Sequence, residues 1–294
     1  MKLNINKKKL KILLKTVLSV SLLIFLIYKV DFSKLEVLRP STFIFIVVAV
    51  IINLTAKLIM SVRWKLLLKS VLNLSCEAKV LFKYYMIAGF FNIFLPGAIG
   101  GDVVRTQRLI KRYNVSIKSA TLITLLERVL GVYSLLVLLI LGVLFKNFPS
   151  EIKILSDSPL WINLSALILI LSLLPILKLV LKKRSVEMSY SFLIVTLFVL
   201  LIAQFGDITI AYIFSKAFNI NIGFSAFLFV MPLVYIATVL PISLGGLGVR
   251  EGTFAGLMSL YGVDVSTAII ISFLIYFVKI ISGIIGYFVY LREK

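Results

Sequence analysis

The stretch that decides the fold runs from Asn92 to Arg105 and reads NIFLPGAIGGDVVR. Its Leu-Pro, Gly-Gly and Val-Arg pairs recur with the same internal spacing 145 positions later, in LPISLGGLGVREG from Leu240 to Gly252. In a chain of 294 residues, a repeat at about half the length indicates two copies of one unit, here 1–147 and 148–294. Transporters are commonly built from two such copies, with the substrate site at their interface.

The composition places this chain in a membrane. Hydrophobic residues make up 61% of the sequence and the mean hydropathy is +1.11, which is too apolar for a soluble domain of this size. The formal net charge is +20, but the basic residues stand in short segments beside apolar runs, where they would face anionic headgroups. We therefore predict a multi-pass protein of the cell membrane that binds no nucleic acid.

Cysteine and histidine are almost missing from the sequence. Cys76 is the single cysteine and there is no histidine, so an intrachain disulfide and a metal site built from these residues are excluded. No pairing of a nucleophile with a base stands out among the other polar residues. We expect a protein without a metal, a cofactor or an enzymatic activity.

Six apolar runs reach the roughly 20 residues that cross a bilayer. They cover residues 12–30, 42–62, 119–145, 160–181, 190–215 and 264–291. The first follows a basic start and has no small-residue cleavage site after it, so we interpret it as an uncleaved span. Two further runs, 80–96 and 225–241, end in Leu-Pro before the glycine pairs. Pro96 and Pro241 are the predicted hinges.

The distribution of basic residues predicts how the two shorter runs lie. If both crossed the membrane, several basic loops would be external, against the positive-inside rule. If each instead enters and returns as a re-entrant hairpin, both termini and all the basic segments become cytoplasmic. Those segments are 2–15, 57–83, 105–118, 178–184 and 292–294.

The predicted fold class is therefore an all-α polytopic membrane protein with about six full spans and two re-entrant hairpins, in eight hydrophobic segments. Each copy consists of span, span, hairpin and span. Three crossings per copy insert the second copy upside down, so that the two hairpin tips would face each other near the bilayer midplane. The whole chain, 1–294, would form one transmembrane domain without a soluble catalytic domain.

The hairpin tips are the predicted substrate site. A helix restarts after Gly100-Gly101 and again after Gly245-Gly246, so unpaired N–H groups and a positive dipole end would lie at membrane depth and attract an anion. Arg105 and Arg250 occupy matching places in the two returning helices and would each add a permanent cation suited to phosphate. The alternative is that the glycines only permit close packing, and that Arg105 is a topology charge near the cytoplasm.

Further charged residues fall inside the predicted spans, where they would face a polar cavity or one another. They are Glu127, Arg128, Asp207 and Lys279. Glu127 could pair with Arg105, and Glu251 could neutralise Arg250. The first two could instead simply hold helices together. Asp102, beside the first glycine pair, is predicted to cap its helix.

These residues resemble a known family. The stretches from Asn92 to Arg105 and from Leu240 to Gly252, together with LERVLG from Leu126 to Gly131, are similar to the lysylphosphatidylglycerol synthase transmembrane family, also called flippase-like or UPF0104 membrane proteins. The resemblance covers nearly the whole chain. It implies movement of a lipid between leaflets, which in the aminoacyl-phosphatidylglycerol synthases accompanies a soluble aminoacyl-transferase. This sequence ends at Lys294, so we do not expect lysyl transfer.

Three functions remain open at this point. The first is a translocase for an anionic phospholipid or a polyprenyl-phosphate lipid, with the two arginines receiving the phosphate. The second is a membrane subunit that presents lipid to a separate glycosyl- or aminoacyl-transferase. The third is a transporter of a small solute or ion, because the same inverted plan serves that class equally well. The oligomeric state is not predicted.

Overall fold

The computed structural model describes residues 7–37, 42–94, 100–145, 152, 157–183, 189–240, 243 and 245–293. Within these residues the regular structure is entirely helical, as predicted, with a 3-10 turn at Phe32–Val37. The α-helices are α1 Lys7–Tyr28, α2 Thr42–Leu72, α3 Ala78–Phe94, α4 Gly100–Tyr113, α5 Ile117–Leu144, α6 Leu160–Lys183, α7 Tyr190–Ala217, α8 Phe224–Val239, α9 Val249–Leu260 and α10 Val265–Leu291.

Five of the described helices are long and apolar enough to cross a membrane, where six spans were predicted. They are α2, α5, α6 from Leu160 to Leu179, α7 and α10. The difference lies in α1, whose apolar part is only Thr16–Tyr28. Five lysines fall between residues 7 and 15. The apolar part of this helix is therefore only about 20 Å long, which is shorter than the hydrocarbon core of a bilayer.

The helix α2 is longer than the sequence suggested. Its apolar run was predicted to end at residue 62, but the helix continues to Leu72 because no glycine or proline interrupts the segment. It ends at Asn73, which has a φ of 51°, a left-handed conformation that asparagine adopts readily at a helix end. The extra turns bring Arg63 into the protein, whereas the sequence had assigned it to the cytoplasmic basic segment 57–83.

The two shorter apolar runs form the helices α3 and α8, and each is followed by a second short helix. In the described residues α3 packs against α4, and α8 packs against α9. At 1.5 Å per residue these four helices are about 18 to 26 Å long, so none of them matches the long spans.

The first arm of each short pair packs on a long helix from the other half of the chain. Helix α3 lies against α10, and α8 lies against α5. Each contact includes a glycine that lies close to the backbone of the neighbouring helix. A Cβ at Gly286 would lie 2.0 Å from the backbone oxygen of Met86, and one at Gly142 would lie 2.6 Å from the backbone nitrogen of Phe229. Any larger residue would force these helices apart.

Candidate functional site

A cavity of about 410 Å³ lies between the two halves of the chain. Helices α2 and α3 form its wall on one side, and α7 to α10 form the other. Its charged lining residues are Lys57, Asp207, Arg250 and Lys279, and its polar lining includes Asn53, Tyr85, Asn92, Gln204, Tyr235, Thr238 and Tyr276. Four of the predicted site residues are therefore brought together, namely Asp207, Gly245, Arg250 and Lys279.

Arg250 lies in the first turn of α9, where the chain enters the helix through Gly248 at a φ of 79°. Glu251 holds this helix start, since its Oε2 accepts a hydrogen bond of 2.8 Å from the Gly248 backbone N–H. Its Oε1 accepts one of 3.0 Å from Arg250 Nε. The guanidinium also lies over the Tyr276 ring, 4.2 Å from its centre. The predicted neutralisation of Arg250 by Glu251 is thus present.

Lys279 and Asp207 face each other across the cavity from α10 and α7. Lys279 Nζ lies 3.8 Å from Asp207 Oδ2, and the Tyr235 hydroxyl donates a hydrogen bond of 3.1 Å to the same oxygen. The lysine also lies 4.9 Å from the centre of the Tyr235 ring. One carboxylate oxygen of Asp207 therefore contacts both an ammonium group and a hydroxyl, which compensate its polarity inside the protein.

Lys57 is a cavity residue that the sequence analysis missed. Its Nζ donates a hydrogen bond of 2.8 Å to Ser282 Oγ, which in turn donates one of 2.8 Å to Asn53 Oδ1. No carboxylate of the described residues lies within salt-bridge distance of Lys57. The predicted span 42–62 already included this lysine, but its position at the start of the basic segment 57–83 made it count as a cytoplasmic charge.

A second cluster of charges lies behind the cavity, in the first half of the chain. Arg105 Nη2 is 2.7 Å from Glu127 Oε2, and Arg63 Nη2 is 2.5 Å from Glu127 Oε1. The Tyr85 hydroxyl donates a hydrogen bond of 2.7 Å to that same Oε1. The predicted pairing of Glu127 with Arg105 is present, and Arg63 and Tyr85 are two partners that the sequence did not indicate.

Asp102 joins this cluster, and its carboxylate binds arginine side chains rather than capping the start of α4 as predicted. Its Oδ1 accepts a hydrogen bond of 3.0 Å from Arg105 Nε, and its Oδ2 accepts one of 2.7 Å from Arg128 Nη2. The first turn of α4 is held instead by Asn92, whose Oδ1 accepts a hydrogen bond of 2.7 Å from the Gly101 backbone N–H. Three arginines and two carboxylates thus form a cluster with one excess positive charge.

Tyr85 separates this cluster from the cavity. Its side chain lines the cavity, while the Arg105 guanidinium lies behind it, 4.6 Å from the centre of its ring. The same guanidinium lies 4.9 Å from the centre of the Trp64 ring. Arg105 is only 4% exposed and does not line the cavity that contains Arg250. The two arginines therefore do not line one common cavity.

The predicted glycine pairs behave differently in the two halves. Gly245 and Gly246 have φ values of 62° and 79°, which L side chains rarely adopt. Gly100 and Gly101 lie within α4, and a Cβ at Gly101 would meet the backbone oxygen of Ala88 at 2.3 Å. One pair is therefore needed for a turn and the other for close packing. The predicted hinges Pro96 and Pro241 lie outside the described residues.

Comparison with known proteins assigns the family that these motifs suggested. A search of curated proteins gave no match. The model of one family, described as the lysylphosphatidylglycerol synthase TM region, matches residues 12–286. That range includes every residue that lines the cavity and every residue of the buried charge cluster. The chain belongs to the lysylphosphatidylglycerol synthase TM family, and it is a multi-pass membrane protein of a family that handles lipids.

Proposed function

We propose that this protein is a lipid translocase that moves an anionic headgroup between leaflets through the central cavity. The observation that supports this most directly is the cavity lining. Lys57, Arg250 and Lys279 surround one space between the two halves of the chain. Cations at membrane depth are costly unless they serve a substrate or a structural pair, and Lys57 has no carboxylate partner among the described residues.

The packing of the helices supports the inverted repeat on which this proposal depends. Under a shift of about 145 positions, α2 to α5 correspond to α7 to α10. The contact of α3 with α10 then corresponds to the contact of α8 with α5, and each includes a glycine that lies close to the neighbouring backbone. The ends repeat as well, since Asn73 follows α2 and Asn219 lies just after α7, both with positive φ.

The formal charges suggest the class of headgroup. Three cations and Asp207 line the cavity, and Glu251 is buried against Arg250. These side chains have a net formal charge of about +1, which a headgroup with one negative charge would neutralise at low dielectric. A cavity of 410 Å³ has the size of a small-molecule pocket. A phosphodiester headgroup would occupy it while the acyl chains stay in the surrounding lipid.

Tyr85 gives a route by which the headgroup would pass from one half to the other. Nη1 of Arg105 and the Nε and Nη1 atoms of Arg63 have no hydrogen-bond partner among the described residues. Rotation of the Tyr85 ring away from Arg105 would expose these donors to the cavity. A phosphate bound at Arg250 would then meet a second set of N–H donors on the other side.

Leaflet exchange in liposomes tests the proposal. The purified protein would be reconstituted with fluorescent phosphatidylglycerol or phosphatidylcholine, and the fraction of label accessible to an external quencher would be followed. We expect faster exchange of phosphatidylglycerol with the wild type and a loss of that exchange with Arg250→Gln. The matched control is Arg292→Gln, since Arg292 is exposed just after the end of α10.

Three outcomes would contradict the proposal. Wild-type protein that is folded but exchanges neither lipid would favour a subunit that presents lipid to a separate transferase. Uptake of a small solute without exchange of lipid would favour the third function. If Arg250→Gln and Arg292→Gln reduced exchange equally, lipid exchange would not depend on the charge of the cavity.

A further inference from the structure

A second concave site lies outside the central cavity, on the outer surface of the α3–α4 pair. It is an open groove of about 810 Å³ between α3, α4 and the end of α10. It shares no lining residue with the central cavity. Any ligand of this groove is therefore bound independently of the cavity residues.

The wall that α4 contributes changes from apolar to cationic along the helix. Val104, Arg108 and Lys111 lie on one face at spacings of three or four residues, and Arg112 extends that face at the end of the helix. Successive turns are 5.4 Å apart, so the groove is about 10 Å deep from its apolar end to its basic end.

The opposite wall follows the same order. On α3, Phe91 lines the groove together with Val104, and Tyr84 lines it together with Arg108, whose guanidinium lies 5.9 Å from the centre of the Tyr84 ring. Tyr290 lines the groove from α10, with its ring centre 5.2 Å from the same guanidinium and 5.4 Å from the centre of the Phe91 ring. Aromatic rings at the boundary between apolar and charged surfaces are typical of the interface between a membrane and water.

One carboxylate lies in the groove, and it neutralises only part of the positive charge. Glu293 Oε2 is 2.9 Å from Arg108 Nη1, and its Oε1 is 3.0 Å from Lys83 Nζ. Lys111 and Arg112 have no ion pair within the described part of the chain. The basic end therefore keeps two uncompensated cations above an apolar floor.

We propose that this groove is a binding site for the phosphate of an anionic phospholipid in the adjacent leaflet. Lys111 and Arg112 bind the phosphate at the basic end, where both side chains are accessible. Phe91 and Val104 contact the first carbons of the acyl chains at the apolar end. Glu293 competes with the lipid phosphate, because its carboxylate forms ion pairs with Arg108 and Lys83. Binding of lipid in this groove does not require that the central cavity moves lipid between leaflets.

Binding of a short-chain fluorescent phosphatidylglycerol to the full chain in detergent tests this proposal. All variants would be made in the Arg250→Gln background, so that the central cavity does not contribute. We expect the Lys111→Gln/Arg112→Gln double variant to bind about 25-fold more weakly, at about fivefold for each cation removed. We expect Glu293→Gln to bind about fivefold more tightly, since it releases a cation that the carboxylate now occupies.

The matched control removes the same charge elsewhere. Lys118 and Arg292 are exposed and line neither concave site, so Lys118→Gln/Arg292→Gln should leave the affinity within about twofold. Equal weakening by both double variants would overturn the proposal, since binding would then follow surface charge alone.

Inorganic phosphate distinguishes a lipid site from a simple anion site. We expect phosphate to compete poorly, and Phe91→Ala to weaken the lipid without changing the affinity for phosphate. If phosphate competes as well as a short-chain lipid does, the groove binds free phosphate and the lipid assignment is wrong. Exchange of lipid in liposomes is measured separately, so failure of either proposal is visible without the other.

Discussion

Arg105 Nη2 lies 2.7 Å from Glu127 Oε2, with the side chains 5% and 2% exposed. The two residues come from the neighbouring helices α4 and α5, and Glu127 accepts from Arg63 on α2 as well. A buried carboxylate between two guanidinium groups is stable only while all three are present, because each charge has lost its water. Glu127 therefore joins three helices through one side chain.

Replacing Glu127 by Gln should destabilise the protein by about 3–5 kcal/mol, because Arg63 and Arg105 would be left buried without a counter-charge. Thermal unfolding in detergent measures this as a large drop in Tm. Glu77→Gln is the control, since Glu77 is exposed and has no ion pair among the described residues. A Tm for Glu127→Gln that equals the control would mean that the cluster does not stabilise the fold.

Local signals in the sequence predicted the features that depend on local chemistry. The glycine and proline positions indicated the short helix pairs, and α3 and α8 end within a few residues of where their apolar runs end. The contact of Arg250 with its neighbour Glu251 was anticipated for the same reason, whereas that of Arg105 with Glu127 was anticipated because charges inside predicted spans need partners. The inverted orientation of the two halves stays a prediction.

The residues that were missed depend on long-range packing. Lys57 and Arg63 were read as cytoplasmic because charge distribution alone cannot distinguish a loop from a helix that faces a cavity. Tyr85 gave no signal at all, since an aromatic residue in an apolar run is ordinarily packing. Its role between Arg105 and the cavity follows only from the way α2, α3 and α4 meet.

The two close glycine contacts should be sensitive to a single methyl group. Gly142→Ala and Gly286→Ala should each cost about 1–3 kcal/mol of stability, because the new Cβ would overlap backbone atoms that cannot rotate away. Gly131→Ala is the matched control on α5, as no atom outside its own helix lies within 4 Å of a Cβ there. Equal Tm values for all three variants would contradict the close approach of α3 to α10 and of α8 to α5.

The ion pair between Lys34 and Asp264 should make stability fall in acid. Lys34 and the Thr267 backbone N–H donate to the Asp264 carboxylate, and these bonds hold its pKa below the usual 3.8. The stabilisation is complete above the unfolded pKa of about 3.9 and is lost as the pH falls through the lower folded pKa. Asp264→Asn keeps the helix cap and removes the charge. The difference in Tm between wild type and variant should be constant from pH 7 to pH 5 and vanish in stronger acid, and a difference that persists there would contradict this explanation.

Single cysteines test the orientation of the chain, but the native one is a poor probe. Cys76 is 4% exposed, and burial raises the pKa of its thiol, so we expect slow labelling by maleimide from either side. In a Cys76→Ala background, Lys118→Cys should react only in permeabilised cells, and Asn221→Cys should react in intact cells. Both positions are exposed. If Lys118→Cys reacted in intact cells and Asn221→Cys only in permeabilised cells, the orientation of the chain would be opposite to the predicted one. If both reacted in intact cells, the predicted topology would be wrong.

The balance of charge in the central cavity should set which headgroups it accepts. Lys279 and Asp207 are 3.8 Å apart and both line the space, so removing either changes the net charge by one in opposite directions. Lys279→Gln should lower exchange of phosphatidylglycerol about tenfold while leaving phosphatidylcholine unchanged or faster, since a neutral site no longer attracts an anion. Asp207→Asn should instead favour a headgroup with two negative charges, such as phosphatidic acid at pH 8. The measurement is the ratio of exchange rates in liposomes that contain both labelled lipids, which is independent of the amount of active protein. If each variant changes the exchange rates of both labelled lipids by the same factor, the cavity does not select headgroups by their charge.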